Sequence, residues 1–276
     1  MFKSISIIGC GWLGLALGKE LATSGMQVKG STTSPDKMNK LEKEGIIPFL
    51  IDIKGEGIMG ETSDFLESEV LFINIPPGRK NINVVVDFNQ KLELLIRSIE
   101  SLGHQYKQVY FISSSSVYPA NNDVVNEQDA RNPESKSGEA LLLAEQRMIA
   151  VFGKKLSIIR FGGLVDEGRD PVKFFSGRKG ISGGDSPVNL IHKKDCIAIL
   201  QHLLKTPQSS YRIYNAACPK HPSRKTYYTF AANYYNMEIP LFDPKKAEPY
   251  KIVCPEKLIC ETNYQFKYKS PLDWLA

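Results

Sequence analysis

Residues 4–14 read Ser4-Ile5-Ser6-Ile7-Ile8-Gly9-Cys10-Gly11-Trp12-Leu13-Gly14. A short apolar run leads into a G-x-G-x-x-G pattern, and Leu13, Leu17 and Leu21 then repeat every four residues. That order predicts a buried strand, a tight turn and a helix. Each glycine has a mechanical reason. Gly9 permits the turn, Gly11 lets the backbone approach a pyrophosphate, and Gly14 lets the helix pack against the strand. Trp12 and Leu13 belong to the same loop. The anion would meet unpaired N–H groups and the positive end of the helix dipole. The pattern alone also fits a plain glycine turn, but its place between strand and helix favours dinucleotide binding. Lys3 and the apolar run after it have an outward likeness to a secretion signal. Glycines interrupt that run, Lys19-Glu20 ends it, and no small-residue cleavage site follows.

Outward from this stretch, short apolar runs alternate with helical patterns. The expected strands are Ser4–Ile8, Met26–Gly30, Ile47–Ile51, Val70–Ile75, Gln108–Ile112, Leu156–Phe161 and Tyr211–Ala216. Helical stripes run through 84–101, closed by Gly103, and through 138–151. Further helices are expected from Lys193 to Leu204 and from Thr226 to Tyr235. Near-continuous apolar strands separated by helices predict an α/β fold, a doubly wound parallel Rossmann sheet of about seven strands. The expected division is a dinucleotide-binding domain over 1–165 and a small C-terminal α/β lobe over 166–276. Residues 189–217 return to the main sheet, and the Pro-rich last forty residues pack on it irregularly.

Composition excludes several classes. The 276 residues are 42% hydrophobic and 24% charged, ordinary values for a globular chain with a full core. Thirty-five Lys+Arg against 30 Asp+Glu give a net charge of +5, interleaved rather than clustered. No basic stripe suggests nucleic-acid binding, and no apolar run is long enough for a membrane span. Five cysteines without a C-x-x-C suggest a reducing, cytoplasmic compartment. The four histidines lack metal-ligand spacing, so no metal site is expected. Cys10 lies at a helix N-terminus, which could lower its pKa; it also reads as a small space-filler.

The end of the second strand bears on NAD against NADP. An NAD site places an acid there for the ribose hydroxyls. Here the chain reads Gly30-Ser31-Thr32-Thr33-Ser34, with Asp36 the first acid and Lys37 directly after it. An acid facing a 2′-phosphate would repel it by roughly 1–4 kcal/mol at 4 Å. Its absence, with the hydroxyls of Ser31, Thr32 and Thr33 and the Lys37 ammonium, favours NADP; the same residues also read as a polar turn. Ile75, Pro76 and Pro77, followed by Gly78-Arg79, should face the glycine loop across the point where strand order reverses. The prolines would form a wall without N–H groups, or simply a Pro-Gly turn.

Four later segments carry a family likeness. Val109-Tyr110-Phe111-Ile112-Ser113-Ser114-Ser115-Ser116-Val117-Tyr118 resembles the fifth strand of extended short-chain dehydrogenases, the nucleoside-diphosphate-sugar epimerase and dehydratase group. Ile158-Ile159-Arg160-Phe161-Gly162-Gly163 resembles the sixth strand of that group, and Asn189-Leu190-Ile191-His192-Lys193-Lys194-Asp195 its later N-x-I-H-x-x-D segment. Tyr214-Asn215-Ala216 resembles its last sheet strand. The resemblance implies a Rossmann fold, a nicotinamide cofactor, a small-molecule substrate and a homodimer through helices 84–101 and 138–151.

It also exposes a departure. The group uses a Ser or Thr with a Tyr-x-x-x-Lys pair on the next helix. Ser114 matches the first position. Aligned on Ala144-Glu145, the tyrosine position is Ser137 and the lysine position is Leu141. The chain therefore resembles the atypical, epimerase-like short-chain dehydrogenases, and its short glycine spacing suits that subgroup. Tyr118 is a candidate substitute acid, or a buried packing tyrosine. Arg169 and Arg178, in the glycine-rich stretch after the sixth strand, are candidate holders of an anionic substrate, or part of a solvated loop. His192 reads as a structural residue at a helix start. Three functions follow: redox chemistry on a sugar-like or small anionic substrate, a non-catalytic NADP sensor, or a β-hydroxyacid-type dehydrogenase with an all-helical second domain.

Overall fold

The computed structural model describes residues 2–55, 57–78, 82–206 and 209–276. Seven strands form the central sheet: β1 (Ser4–Ile8), β2 (Gln27–Thr32), β3 (Ile47–Leu50), β4 (Val70–Ile73), β5 (Gln108–Ser114), β6 (Leu156–Phe161) and β7 (Arg212–Ala216). Their order is β3-β2-β1-β4-β5-β6-β7, and every pair is parallel. The chain winds outward from β1 to β3, then returns to β4 on the other side of β1. This reversal opens a crevice at the carboxyl ends of β1 and β4, where ligands of such sheets bind.

Eight helices accompany the sheet among the described residues: α1 (Trp12–Thr23), α2 (Met38–Lys43), α3 (Ser63–Leu66), α4 (Val84–Leu102), α5 (Lys136–Phe152), α6 (Lys193–Lys205), α7 (Arg224–Tyr234) and α8 (Glu256–Thr262). Every residue of β4 and β6 is buried, as expected for strands covered on both faces. The period-2 alternation sorts the side chains. Ile8, Leu71, Ile73, Val109 and Phe111 face the core that contains Phe88, Leu92 and Ile96 of α4 and Ala144 and Met148 of α5. Ile5, Ile7, Phe72 and Tyr110 face the opposite core, with Leu13, Leu17 and Leu21 of α1 and Ile199 and Leu203 of α6. Gly103 ends α4 in the left-handed conformation, with φ of 63°, as a glycine at that position can.

A third, smaller core joins Val165, Val172, Val188, Tyr227, Tyr228 and Leu275 around α7. The irregular tail expected from its prolines is more ordered than its composition suggests. Lys251–Val253 pairs in parallel with Asp123–Val125. Beyond it, α8 buries Leu258, and the following chain buries Tyr264 and Phe266, in the core under α1 and α6. Asp195 anchors this return. Its carboxylate accepts the backbone N–H groups of Lys267 and Tyr268 and the Tyr264 hydroxyl. A lone carboxylate at zero exposure is tolerable only when satisfied in this way. Among the described residues no helix is long and apolar enough to cross a membrane, and no cluster of potential metal ligands occurs.

Candidate functional site

The glycine loop sits in the crevice, and its geometry explains each glycine. Gly9 has φ of +95°, and a Cβ there would lie 2.5 Å from the Asn74 carbonyl oxygen. A Cβ on Gly14 would lie 2.4 Å from the Gly9 carbonyl oxygen, so Gly14 packs beneath the loop rather than lining the crevice. Gly11 differs: a Cβ there would meet nothing within 4 Å. Its missing side chain leaves open space directly before α1, a helix with no side-chain cap. The first-turn N–H groups of α1 are therefore available to an anion. Besides the Cys10 N–H, which donates to the Ser31 carbonyl at 2.8 Å, bonds to two side chains hold the loop. The Gly9 N–H donates to Ser31 Oγ at 2.9 Å, and Asn74 Nδ2 donates to the Gly9 carbonyl at 2.9 Å. This cradle fits a dinucleotide pyrophosphate.

The crevice widens into one cleft of about 1050 Å³. Gly9, Gly11, Trp12, Leu13, Ser31, Thr32, Thr33, Lys37, Ile75, Pro76 and Pro77 all line it. β2 is longer than expected and carries Ser31 and Thr32 within the strand, both nearly buried. Ser31 braces the glycine loop, while Thr33 and Lys37 are exposed at the strand end. Asp36 does not reach the cleft wall. Arg79 lies outside the described residues.

Cys10 lines the cleft but is not activated. Burial pushes its thiol up to about 12, against a weaker lowering by a hydrogen bond from the Ser31 backbone. The space-filling reading of Cys10 therefore fits the geometry, and the thiol lies above, not below, its ordinary value. His192 caps α6: its Nδ1 accepts the Lys194 N–H at 3.2 Å. Burial, followed by the nearby Lys194 charge, holds its pKa below the ordinary histidine range.

At the other end of the cleft, Ser114, Ser115 and Ser116 line the wall at the end of β5, with Ser135, Ser137 and Leu141 from the start of α5. Ser114 Oγ accepts the Ser116 N–H at 3.2 Å. The tyrosine and lysine positions of the resembled group thus face the cleft, occupied by a hydroxyl and an isobutyl group.

Tyr118 is not brought to the cleft. It is fully buried, its hydroxyl donates to Asn215 Oδ1 at 2.6 Å, and it accepts from Arg160 at 2.8 Å. Burial raises its pKa further than the nearby Arg160 charge lowers it. Tyr118 belongs instead to a buried polar network. Arg160 and Glu145 pair at 2.5 Å, with side chains 3% and 2% exposed, and Ser113 donates to Glu145 at 2.6 Å. A substrate has no path to a phenol at that depth, so the substitute-acid reading of Tyr118 fails on access.

The two arginines separate. Arg169 lines the cleft, with its guanidinium 4.8 Å from the centroid of the Trp12 ring. Lys193 stands 5.0 Å from the same ring and pairs with Asp166. Although burial pushes the Asp166 carboxyl up, the Lys193 bond and charge, the Gly168 N–H and the Trp12 indole together hold it below the ordinary range. Trp12 thus joins the glycine loop to Arg169 and to Lys193 at the start of α6. Arg178 is exposed, stacks at 5.7 Å on Phe175, and does not reach the cleft.

Several lining residues carry no motif by which the sequence would single them out. Asn74, Asp52, Lys91 and Lys251 all face the cleft. Asn74 follows β4 and is detectable in principle as a polar residue ending an apolar strand opposite the glycine loop. Lys251 lies far beyond α5 in the chain, and only the folded tail brings it here.

Sheet order, glycine cradle and cleft define a Rossmann protein with the architecture of the sugar-nucleotide epimerases. A UDP-glucuronic acid 4-epimerase from Bacillus cereus, solved with UDP-glucuronic acid and NAD, superposes with a TM-score of 0.79 at 18% identity, covering 99% of this chain and 96% of that one. A conserved protein of unknown function from Silicibacter pomeroyi also superposes at 0.79, with 22% identity over 99% of this chain and 96% of its own. No family model matches the chain. Protein YeeZ of Escherichia coli K12 is 32% identical over 277 aligned positions, spanning 98% of both chains. The chain belongs to the YeeZ family.

Proposed function

We propose that the cleft binds a nicotinamide dinucleotide, NADP in preference to NAD, and that the chain performs redox chemistry on a carbonyl or hydroxyl of a sugar-like or small anionic substrate. One observation carries the reading. The uncapped N-terminus of α1, the Gly9–Gly14 cradle and the acid-free end of β2 open into one cleft at the strand-order reversal. The epimerase with this architecture was solved with NAD. When bound, the cofactor carries the hydride. The chain positions it: α1 meets the pyrophosphate, Thr33 and Lys37 meet a 2′-phosphate, and Ser114 and Ser137 offer hydroxyls to the substrate. Asp52 follows β3, not β2, and its partner at 2.5 Å is Lys54.

The replacement of the catalytic pair by Ser137 and Leu141 favours a second reading, a sensor that binds the cofactor without turnover. The β-hydroxyacid alternative is not favoured, because Arg212–Ala216 adds a seventh parallel strand where an all-helical domain would be needed. Titration of Trp12 fluorescence tests the main reading. NADPH should quench it, with NADH at least tenfold weaker, a difference of about 1.4 kcal/mol. A Trp12→Phe control should lose the signal, since Trp274 lies in the third core. Equal binding of both dinucleotides removes the NADP preference, and no response to either sinks the proposal. Substrate-dependent oxidation of bound NADPH rules out the sensor.

A further inference from the structure

The substrate end of the cleft has hydroxyls from Ser114, Ser115, Ser116 and Ser137, and Leu141 where a cation would activate them. Unassisted serine hydroxyls are poor proton donors and acceptors at neutral pH, so reduction of a carbonyl there needs another acid. Lys251 reaches this wall from the opposite end of the chain. Its Nζ donates to the Tyr118 carbonyl at 2.6 Å, two residues beyond the serine run. That bond uses one of the three N–H donors of an ammonium, and the residue lines the same cleft as Ser114 and Ser137.

The backbone of Lys251 is held firmly. Lys251–Val253 pairs with Asp123–Val125, and Asn189 clamps the segment from its other side. The Asn189 side chain donates to the Lys251 carbonyl at 2.8 Å and accepts the Val253 N–H at 2.8 Å. These bonds aim a long, otherwise flexible side chain at one place.

We propose that Lys251 is the acid–base residue of the cleft, replacing from the C-terminal tail the cation that α5 lacks. The inference rests on the nicotinamide reading above. In the reductive direction, Lys251 gives its proton to the substrate carbonyl oxygen while the carbonyl carbon accepts a hydride from a reduced nicotinamide. The products are an alcohol, an oxidised nicotinamide and a neutral amine, which regains a proton from water in the open cleft. Oxidation reverses each transfer.

The surroundings suit this task. Burial lowers the pKa of Lys251 below the ordinary lysine value, and the charge of Glu134 opposes that only in part. Asp123 stands opposite Lys251 in the strand register. A lysine tuned downward by burial is the usual way for an amine to exchange protons near neutral pH.

Proton release on cofactor binding provides the test. Calorimetry of the full chain is run with NADP⁺ and with NADPH, in two buffers of different ionisation enthalpy, at about pH 8.5, below the ordinary lysine pKa near 10.4. The positive ring of NADP⁺ should push Lys251 to release a fraction of a proton, whereas neutral NADPH should not. Lys251→Arg keeps the cation and the bond to the Tyr118 carbonyl but cannot deprotonate, so its NADP⁺ heat should become independent of buffer. Binding heat with the same proton release in wild type and Lys251→Arg, or with none in wild type, overturns the role of Lys251 alone. Absence of binding heat with either dinucleotide, together with an unresponsive Trp12, overturns the cofactor reading and this inference with it.

Discussion

At the scale of single residues, the three glycines of the loop do different work, and substitution should separate them. Gly9 holds a positive φ against the Asn74 carbonyl. Gly9→Ala should therefore cost about 1–3 kcal/mol from backbone conformation alone, and more from the clash. Gly11 has open space around its missing side chain. Gly11→Ala should leave stability within about 1 kcal/mol of the original, while the new methyl obstructs the approach of a pyrophosphate and lowers NADPH affinity more than tenfold. Urea unfolding and the Trp12 titration, run on both variants, distinguish a structural glycine from a binding one. A Gly11→Ala variant with unchanged affinity would remove the pyrophosphate from this loop.

At the scale of elements, buried polar bonds fix how α5 and α6 join the sheet. Glu145 of α5 and Arg160 of β6 are both nearly inaccessible and hydrogen-bonded to each other, with Ser113 and Tyr118 completing the set. Glu145→Ala leaves a buried guanidinium without its counter-ion and should cost about 3–5 kcal/mol. Glu93→Ala removes a half-buried surface partner of Arg147 and Arg97 and should cost no more than about 1 kcal/mol. The two urea midpoints measured side by side check the contrast.

The cap of α6 should respond to pH. His192 can accept the Lys194 N–H only while its ring is neutral, and burial depresses its folded pKa. The unfolded chain then binds more protons between the folded pKa and about 6.5. Its contribution to stability is full above about pH 6.5 and is lost as pH falls through the lowered folded value. His192→Asn keeps a capping acceptor without a titratable ring. Its urea midpoint should decline less than that of the wild type between about pH 7.5 and pH 5. Parallel declines would show that the histidine does not carry the effect.

At the scale of the whole molecule, the two halves of the chain share their cores. Leu258, Tyr264 and Phe266 pack with Leu17 and Ile7 in one hydrophobic cluster, and Asn215 of β7 bonds Tyr118 and the Cys254 carbonyl. Such interlocking predicts one cooperative unfolding transition rather than two. Far-ultraviolet circular dichroism should coincide in urea with the fluorescence of Trp12 and Trp274, which report on the glycine loop and the third core. Separate midpoints would mean that the third core, around α7, unfolds on its own.

Features written in local sequence are legible from the residues themselves. Seven sheet strands, the glycine turn after β1, the Gly103 stop and the missing Tyr-x-x-x-Lys pair depend on residues near one another, where apolar periodicity and backbone sterics act directly. Strand ends are less legible: β2 and β5 run on through polar residues, because pairing with neighbouring strands outweighs the weak propensities of Ser and Thr. Long-range packing decides the rest. Tyr118 and Ser114 stand four positions apart, yet one is sealed beneath Asn215 and Arg160 while the other faces the cleft. Arg169 and Arg178 share one loop, yet only Arg169 meets Trp12. Lys251 comes beside the serine wall through pairing with Asp123–Val125, far earlier in the chain. Local sequence determined the scaffold and its glycine cradle because strand, turn and helix preferences act over a few residues. The groups that complete the cleft were decided by tertiary structure, because desolvation and access depend on what the distant tail packs against.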